Sequence, residues 1–298
     1  MLEILNKIYP IFLSENTKKR TEKLILYVAL LGFFVHLLLI LLSRYNIQGF
    51  EFKSEFFQNP ISAVYTPFSF ILVYEVYLLI YYLPKSFTTY ITKQYEIITL
   101  IIIRKLFKDL SNLELNSSWF EIKGDLQFTY DILAAVILFY LIYQFQKQGV
   151  RKSDQKRRNH SKIERFINRK RIIAVLLVPT FFLMAIVTFS DWLTSISFAE
   201  ELLPSFETIN NLFFDEFFTV LILVDVVLLL ISFFYTDKFH KIIRNSGFVV
   251  STILIRLSFS VSGLVSTVLI VSAVLFGLSI IIIHNMYENN SLREINNI

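Results

Sequence analysis

The chain has no cysteine, and it contains only 7 glycines and 6 prolines among 298 residues. Without cysteine there are no disulfide bonds, no thiolate nucleophile and no zinc site built on thiolates. A phosphate-binding glycine-rich loop is missing, and so are the Gly-x-Ser-x-Gly and His-Glu-x-x-His signatures. The sequence therefore predicts a protein that is not an enzyme and that uses no cofactor or metal ion.

Charged residues are scarce as well, at 18% of the chain, whereas hydrophobic residues make up 55% and aromatic residues 16%. The mean hydropathy of +0.58 is too apolar for a soluble domain of this length. No short apolar stretch followed by a small-residue cleavage site opens the chain, so we expect the first span to stay as an anchor. These values predict an all-α, polytopic membrane protein.

Hydropathy divides the chain into about eight apolar segments, each near the ~20 residues that cross a bilayer as a helix. The last two form one nearly unbroken run, which as a single helix would be about 54 Å long and would exceed the bilayer. We place a break between Ser258 and Gly263, where serines and a glycine favour a turn, and one tilted helix is the alternative. The predicted spans are 24–43, 62–83, 88–107, 128–146, 172–190, 213–235, 246–260 and 263–284.

The loops differ in charge. Segment 147–171 contains 11 Lys or Arg residues against two acids, whereas segment 191–216 contains six acids and no Lys or Arg. Because short cytoplasmic loops are enriched in Lys and Arg, the basic segment is expected inside and the acidic segment outside. Both termini are then cytoplasmic, and we expect the protein in the cell membrane.

Two halves of the chain share a pattern of polar residues. Glu75 and Asp225 each interrupt an apolar helix, and Arg104 and Arg256 follow at nearly equal separations, each behind a hydroxyl residue and an apolar run. We interpret this pattern as two parallel four-helix repeats, because an even number of spans gives both copies the same orientation. Chance similarity between leucine-rich helices is the alternative.

The predicted organisation has five parts. They are a cytoplasmic N-terminal segment with the pattern of an interfacial helix (1–23), a first four-helix transmembrane unit (24–146), a basic cytoplasmic linker (147–171), a second four-helix unit (172–284) and a cytoplasmic tail (285–298). Within the linker, residues 162–171 are expected to form a short helix along the membrane surface.

The acids inside apolar helices are the first candidates for a functional site. An ionisable group at bilayer depth costs on the order of several kcal/mol unless it is paired, hydrated or protonated. Counting about 1.5 Å per residue puts Glu75 and Glu96 at nearly the same depth, and two facing carboxylates exchange a proton or hold a cation. The alternative is that Glu75 and Asp225 form hydrogen bonds that only lock helix packing.

The same count predicts the partners of the two arginines. Arg104 comes out about 12 Å nearer the outside than Glu75, so we expect Asp131 to be its partner. Arg256 is expected to pair with acids at the outer rim. The candidates there are Asp191, Asp215 and Glu216. Alternatively, each arginine extends its head to the membrane interface.

The basic linker holds candidates for contact with anionic lipid headgroups. They are Arg151, Lys152, Lys156, Arg157 and Arg158. Nucleic acid is not an expected partner, because aromatic residues that stack on bases are missing here except for Phe166. The alternative is that these charges only set the orientation of the chain in the membrane. A second copy of the chain or another membrane protein stays open as a partner.

Two classes of function follow from these residues. In the first, the protein is a channel or transporter that moves protons or small cations by way of Glu75, Glu96 and Asp225. In the second, it is a non-conducting multi-pass protein, an assembly partner or a sensor, whose buried acids serve helix packing. An aqueous path to the acids favours the first class, and a dry core with satisfied polar groups favours the second.

Overall fold

A computed structural model describes residues 2–44, 63–110, 123–150, 160–198, 206–261 and 263–296. Helices are the regular secondary structure throughout these ranges, which confirms the all-α class. They are α1 (Leu2–Leu13), α2 (Glu15–Arg44), α3 (Tyr65–Tyr82), α4 (Phe87–Leu110), α5 (Lys123–Val150), α6 (His160–Phe198), α7 (Phe206–Phe233), α8 (Phe239–Ser258) and α9 (Leu264–Asn296).

Five helices in the described ranges are long and apolar enough to cross a bilayer. The candidate spans are Lys7–Ser43, Leu126–Gly149, Glu164–Val187, Glu216–Phe233 and Leu264–Asn290. A shorter apolar stretch, Thr66–Tyr82, lies in α3. Helices α4 and α8 are continuous, but lysine and arginine residues interrupt their apolar runs. Each of the eight predicted spans coincides with a helix, and membrane crossing by α3, α4 and α8 stays a prediction.

Serine residues begin two of the helices. The Oγ of Ser14 accepts a hydrogen bond from the backbone N–H of Thr17, and the Oγ of Ser86 accepts one from that of Thr89, both at 3.1 Å. Each serine thereby satisfies an N–H group that a helix start leaves without an intrahelical partner. The cap at Ser14 separates α1 from α2, so the predicted N-terminal helix is present, and its position on a membrane stays a prediction.

The long apolar run near the C-terminus is broken where the serines and glycine indicated. Helix α8 ends at Ser258 and α9 begins at Leu264. Gly263 has a φ of +76°, a conformation that strains residues with a Cβ atom. The break is therefore confirmed, and the alternative of one tilted helix is wrong.

The end of the predicted linker forms part of a longer helix. We expected residues 162–171 to be a separate surface helix, but they belong to α6, which continues without interruption to Phe198. The reason is local: the stretch from Lys162 to Ile172 has no glycine or proline, so helical hydrogen bonding propagates into the apolar segment. The headgroup candidates Arg151, Lys152, Lys156, Arg157 and Arg158 lie outside the described residues.

The chain forms two compact units. The first unit consists of Met1–Tyr81, Arg104–Trp119 and Ile172–Val220, and the second unit consists of Tyr82–Ile103, Phe120–Arg171 and Leu221–Ile298. Each unit thus includes segments from both halves of the sequence, whereas the predicted repeats are 24–146 and 172–284. The internal duplication stays a prediction.

In the first unit, close contacts join α2 to α3 and α6 to α7. A Cβ atom on Gly32 would lie 2.7 Å from the ring of Phe70, so the missing side chain lets α2 and α3 approach closely. The rings of Phe181 and Phe217 pack with their centroids 4.5 Å apart. Both phenylalanines are buried, and they anchor α6 against α7.

In the second unit, buried aromatic rings join α4, α5 and α8. The ring of Phe145 lies 5.0 Å from that of Tyr95 and 5.4 Å from that of Phe248, and all three side chains are fully buried. The hydroxyl of Tyr95 lies 2.7 Å from the Oγ of Ser251, which donates a hydrogen bond to the carbonyl of Ala273. Ser251 thus accepts from Tyr95 and links α4 to α9 through α8.

A glycine makes room for this hydroxyl. A Cβ atom on Gly277 would lie 1.9 Å from the Tyr95 oxygen and 3.1 Å from the Oγ of Ser251. Neither of these buried side chains has free space to move into. A side chain at position 277 is therefore incompatible with the present packing of α4 against α9.

We predict that Gly277→Ala lowers the free energy of unfolding by about 1–3 kcal/mol, the usual cost of overpacking a core. Unfolding of the purified protein in mixed micelles, followed by circular dichroism, measures this loss. Tyr95→Phe in the same background removes the clashing oxygen and should recover part of the stability. Equal stability of Gly277→Ala and the parent chain would contradict the close approach.

Candidate functional site

A deeply buried ion pair joins α7 to α8. The Nη2 of Arg256 lies 2.8 Å from the Oδ2 of Asp225, and the two side chains are 2% and 1% exposed. Asp225 belongs to the candidate span Glu216–Phe233. Because a charge in a low-dielectric interior is tolerated only when it is paired and hydrogen-bonded, each residue depends on the other for its charged state.

Helix α4 supplies the remaining hydrogen bonds of the carboxylate. The hydroxyl of Tyr90 donates to Oδ1 of Asp225 at 2.9 Å, and the side-chain amide of Gln94 donates to Oδ2 at 3.3 Å. Gln94 also accepts a hydrogen bond from Nη2 of Arg256 at 2.9 Å. We call Tyr90, Gln94, Asp225 and Arg256 the Asp225 cluster, and all four side chains are buried.

The spacing of residues along α4 accounts for this arrangement. Tyr90 and Gln94 are four residues apart, so they lie on one face of the helix, one turn above the other. Both point toward the same carboxylate and reach different oxygens. The cluster therefore holds three helices, α4, α7 and α8, in one relative arrangement within the second unit.

A second acid–arginine pair lies in the first unit. The Nη2 of Arg104 is 3.5 Å from the Oε2 of Glu75, with both side chains buried. Arg104 also donates from Nη1 to the carbonyl of Phe68 at 3.3 Å. No hydrogen bond from the described part of the chain reaches Oε2 of Glu75, so this carboxylate is held more loosely than Asp225.

These contacts differ from the ones that the depth count predicted for the two arginines. The depth count separated Glu75 from Arg104, and it assigned Arg256 to the outer rim, yet each arginine contacts the acid of the preceding helix. Side chains on a helix lean toward its N-terminus. Because the two helices of each pair run in opposite directions, the acid and the arginine lean toward each other, and the arginine side chain closes the remaining distance.

The three acids that were predicted at the outer rim lie on α6 and α7. Glu216 is exposed near the middle of α7, while Asp191 and Asp215 lie in helices but have side chains outside the described set. Asp131 accepts hydrogen bonds at Oδ1 from Gln127 at 2.8 Å and from Thr267 at 2.6 Å. These bonds join α5 to α9, and a pair between Asp131 and Arg104 stays a prediction.

Glu96, the third path candidate, has its own partners. It forms an ion pair with Lys93 and accepts a hydrogen bond from the side chain of Gln146 at 2.7 Å. Its side chain is 30% exposed. Glu75 and Glu96 thus have different partners, an arginine for the first and a lysine and an amide for the second, and a two-carboxylate site stays a prediction.

Sequence reasoning missed Tyr90, Gln94 and Lys170. The side chain of Tyr90 is fully buried. Lys170 is also buried, and its ammonium donates a hydrogen bond to the carbonyl of Lys85 at 2.7 Å. The spacing of Tyr90 and Gln94 on one helical face was the available signal, whereas no local signal distinguishes Lys170 from its basic neighbours.

The Asp225 cluster consists of a carboxylate, a guanidinium, a phenol and an amide. No group of three or more potential metal-ligating side chains occurs within the portion of the chain that the structure describes. No protein family model, curated protein or solved structure matches the chain. In the described residues, the fold and the site together define an all-helical protein with five helices able to span a membrane, one of which carries the acid of a buried acid–arginine pair.

We predict that Asp225→Asn lowers the free energy of unfolding by about 3–5 kcal/mol, because Arg256 then keeps a buried charge without its counterion. The double variant Asp225→Asn with Arg256→Gln should be more stable than the sum of the two single losses implies. Denaturation in mixed micelles measures all three variants.

Asp237→Asn serves as the matched control, since this aspartate is exposed in the turn after α7. Its stability should equal that of the parent chain. Strictly additive effects of the Asp225 and Arg256 substitutions would contradict direct coupling between the two side chains.

Proposed function

We propose that this chain is an integral membrane transporter or channel that moves protons, or small cations, by way of its membrane-buried carboxylates. The observation that carries the proposal is the Asp225–Arg256 pair, which has an N···O distance of 2.8 Å and whose acid lies in a candidate membrane span. Replacement of a buried ion pair by apolar residues is often neutral or stabilising. Such a pair is therefore a poor device for stability alone and favours a functional role.

The neighbours of Asp225 support proton transfer in particular. When the carboxylate accepts a proton, Arg256 loses its counterion but keeps the Gln94 oxygen, 2.9 Å away, as an acceptor. Tyr90, which donates to the carboxylate, is able to rotate its hydroxyl and accept from the protonated acid. A metal cation at the same oxygens would meet the guanidinium of Arg256, so the proton is the better supported of the two substrates.

Glu75 is the second proton-exchanging group in this proposal. Its pair with Arg104 is longer, at 3.5 Å, and its Oε2 accepts no hydrogen bond from the described residues. A carboxylate that few donors stabilise gains more from taking up a proton.

We place the protein in the cell membrane with both termini cytoplasmic, as the charge of the loops indicates.

A second candidate function is supported by a specific observation. Both oxygens of Asp225 accept hydrogen bonds, from Tyr90 at Oδ1 and from Gln94 and Arg256 at Oδ2. A buried carboxylate with hydrogen bonds to both oxygens is also what a packing device requires. In that case the chain is a non-conducting membrane protein, an assembly partner or a sensor, that the acids hold in one conformation.

Proton flux into liposomes separates the two candidates. We predict that an imposed membrane potential acidifies the interior of liposomes containing the protein faster than that of protein-free liposomes. A trapped pH-sensitive dye measures the rate. Asp225→Asn should reduce the rate to the protein-free level, Glu75→Gln should slow it, and the exposed control Asp237→Asn should leave it unchanged. Each variant is first shown by circular dichroism and gel filtration to be folded.

Two outcomes would contradict the proposal. If the parent chain conducts no faster than protein-free liposomes, the transport proposal fails and the packing role is favoured. If the parent chain conducts and folded Asp225→Asn and Glu75→Gln both conduct at the same rate, the path does not include these carboxylates.

A further inference from the structure

Three segments of the second unit meet at one end of its helices. They are the turn before α4, the beginning of α6 and the turn after α7. The rings of Phe87 and Phe166 stack with their centroids 6.1 Å apart, and the ring of Phe166 lies 5.3 Å from that of Tyr235. These three aromatic residues connect the three segments in a continuous row.

A buried lysine, Lys170 of α6, contacts the turn before α4 and the first residue of α4. The ammonium of Lys170 lies 4.8 Å from the ring centroid of Phe87 and 5.3 Å from that of Phe166, and it donates to the carbonyl of Lys85 at 2.7 Å. A cation over aromatic faces with a carbonyl acceptor is a favourable arrangement in a partly dry environment. The turn before α4 is thereby held against α6.

Four exposed cationic residues belong to the three segments that carry this row of rings. Arg165 and Arg169 are one helical turn apart on α6, and both are exposed. The guanidinium of Arg169 lies over the ring of Tyr235 at 5.5 Å, which brings it to the turn that also carries exposed Lys238. The exposed side chain of Lys85 belongs to the turn that Lys170 holds.

The cationic residues lie at the edge of the apolar helices. One candidate span begins at Glu164, directly beside Arg165, and another ends at Phe233, just before Tyr235. This is the level at which a bilayer presents its headgroups, and aromatic rings favour that level too. Glu164 and Asp237 are exposed nearby and offset part of the charge, yet cationic residues remain in excess.

We propose that Lys85, Arg165, Arg169 and Lys238 form a binding site for the phosphate of an anionic phospholipid headgroup. A guanidinium that rests on an aromatic ring keeps its N–H edge free, and that edge binds two phosphate oxygens at once. The row of Phe87, Phe166 and Tyr235 lies beneath the site and offers an apolar surface to the lipid. The site shares no residue with the Asp225 cluster, and the proposal does not depend on transport.

The test compares an anionic with a zwitterionic phospholipid. Purified protein in detergent is titrated with phosphatidylglycerol or phosphatidylcholine of identical acyl chains, and bound lipid is counted by native mass spectrometry. The parent chain should bind phosphatidylglycerol more tightly. Because each basic residue near an anionic surface contributes roughly fivefold in affinity, Arg165→Gln with Arg169→Gln and Lys238→Gln should lower that affinity by more than about tenfold.

The matched control removes the same number of charges elsewhere. Lys19→Gln with Arg20→Gln and Lys23→Gln changes three exposed cations of α2 and should keep the parent preference. Folding of both triple variants is checked by circular dichroism, and Arg169→Gln alone, expected to weaken binding by roughly fivefold, replaces the triple variant if that variant unfolds. Binding of phosphatidylcholine should not change in any variant.

Three results would overturn the proposal. The first is an unchanged preference for phosphatidylglycerol in the folded Arg165, Arg169 and Lys238 variant. The second is an equal loss in the control, which would indicate a general effect of net charge. The third is displacement of bound phosphatidylglycerol by inorganic phosphate at matched ionic strength, which would indicate a site for free phosphate instead of a lipid.

Discussion

The pairing of Asp225 with Arg256 is the interaction on which the arrangement of α4, α7 and α8 depends. In a low-dielectric interior, neither charge is stable without the other, and the 2.8 Å contact satisfies both. Tyr90 and Gln94 complete the hydrogen bonds of the carboxylate, so α4 is tied to the same point. The relative positions of three helices therefore depend on the contacts of one carboxylate.

The two acid–arginine pairs share a pattern but differ in how tightly they are held. Each joins an acid on one helix to an arginine on the next, and each is buried. The arginine of the first pair donates to a backbone carbonyl, whereas that of the second donates to Gln94 as well as to the acid. The difference arises from the neighbouring helix, because an amide and a phenol are available beside Asp225. The looser carboxylate and the tighter carboxylate suit different steps of the same proposed path.

Much of the secondary structure was predictable, because apolar runs of helical length and the residues that end them are local features. The break before Gly263 and the N-terminal helix followed from such features, and both are present. The errors concern side chains. Axial counting treated Glu75 and Arg104 as points on parallel axes and ignored the lean of side chains toward helix N-termini. The role of Tyr90 was missed because its partner is a buried carboxylate on α7, far away in the sequence.

The sequence by itself determined that the chain is all-helical and apolar enough for a membrane, and it singled out Glu75, Asp225, Arg104 and Arg256, because hydropathy and the energetic cost of a charge in lipid are read residue by residue. Only the tertiary structure decided which acid meets which arginine and that Tyr90, Gln94 and Lys170 belong to the same unit as Asp225. Those contacts depend on the stagger and rotation of neighbouring helices. That stagger is set by packing between residues far apart in the chain, such as Tyr95 against Gly277, and no local pattern encodes it.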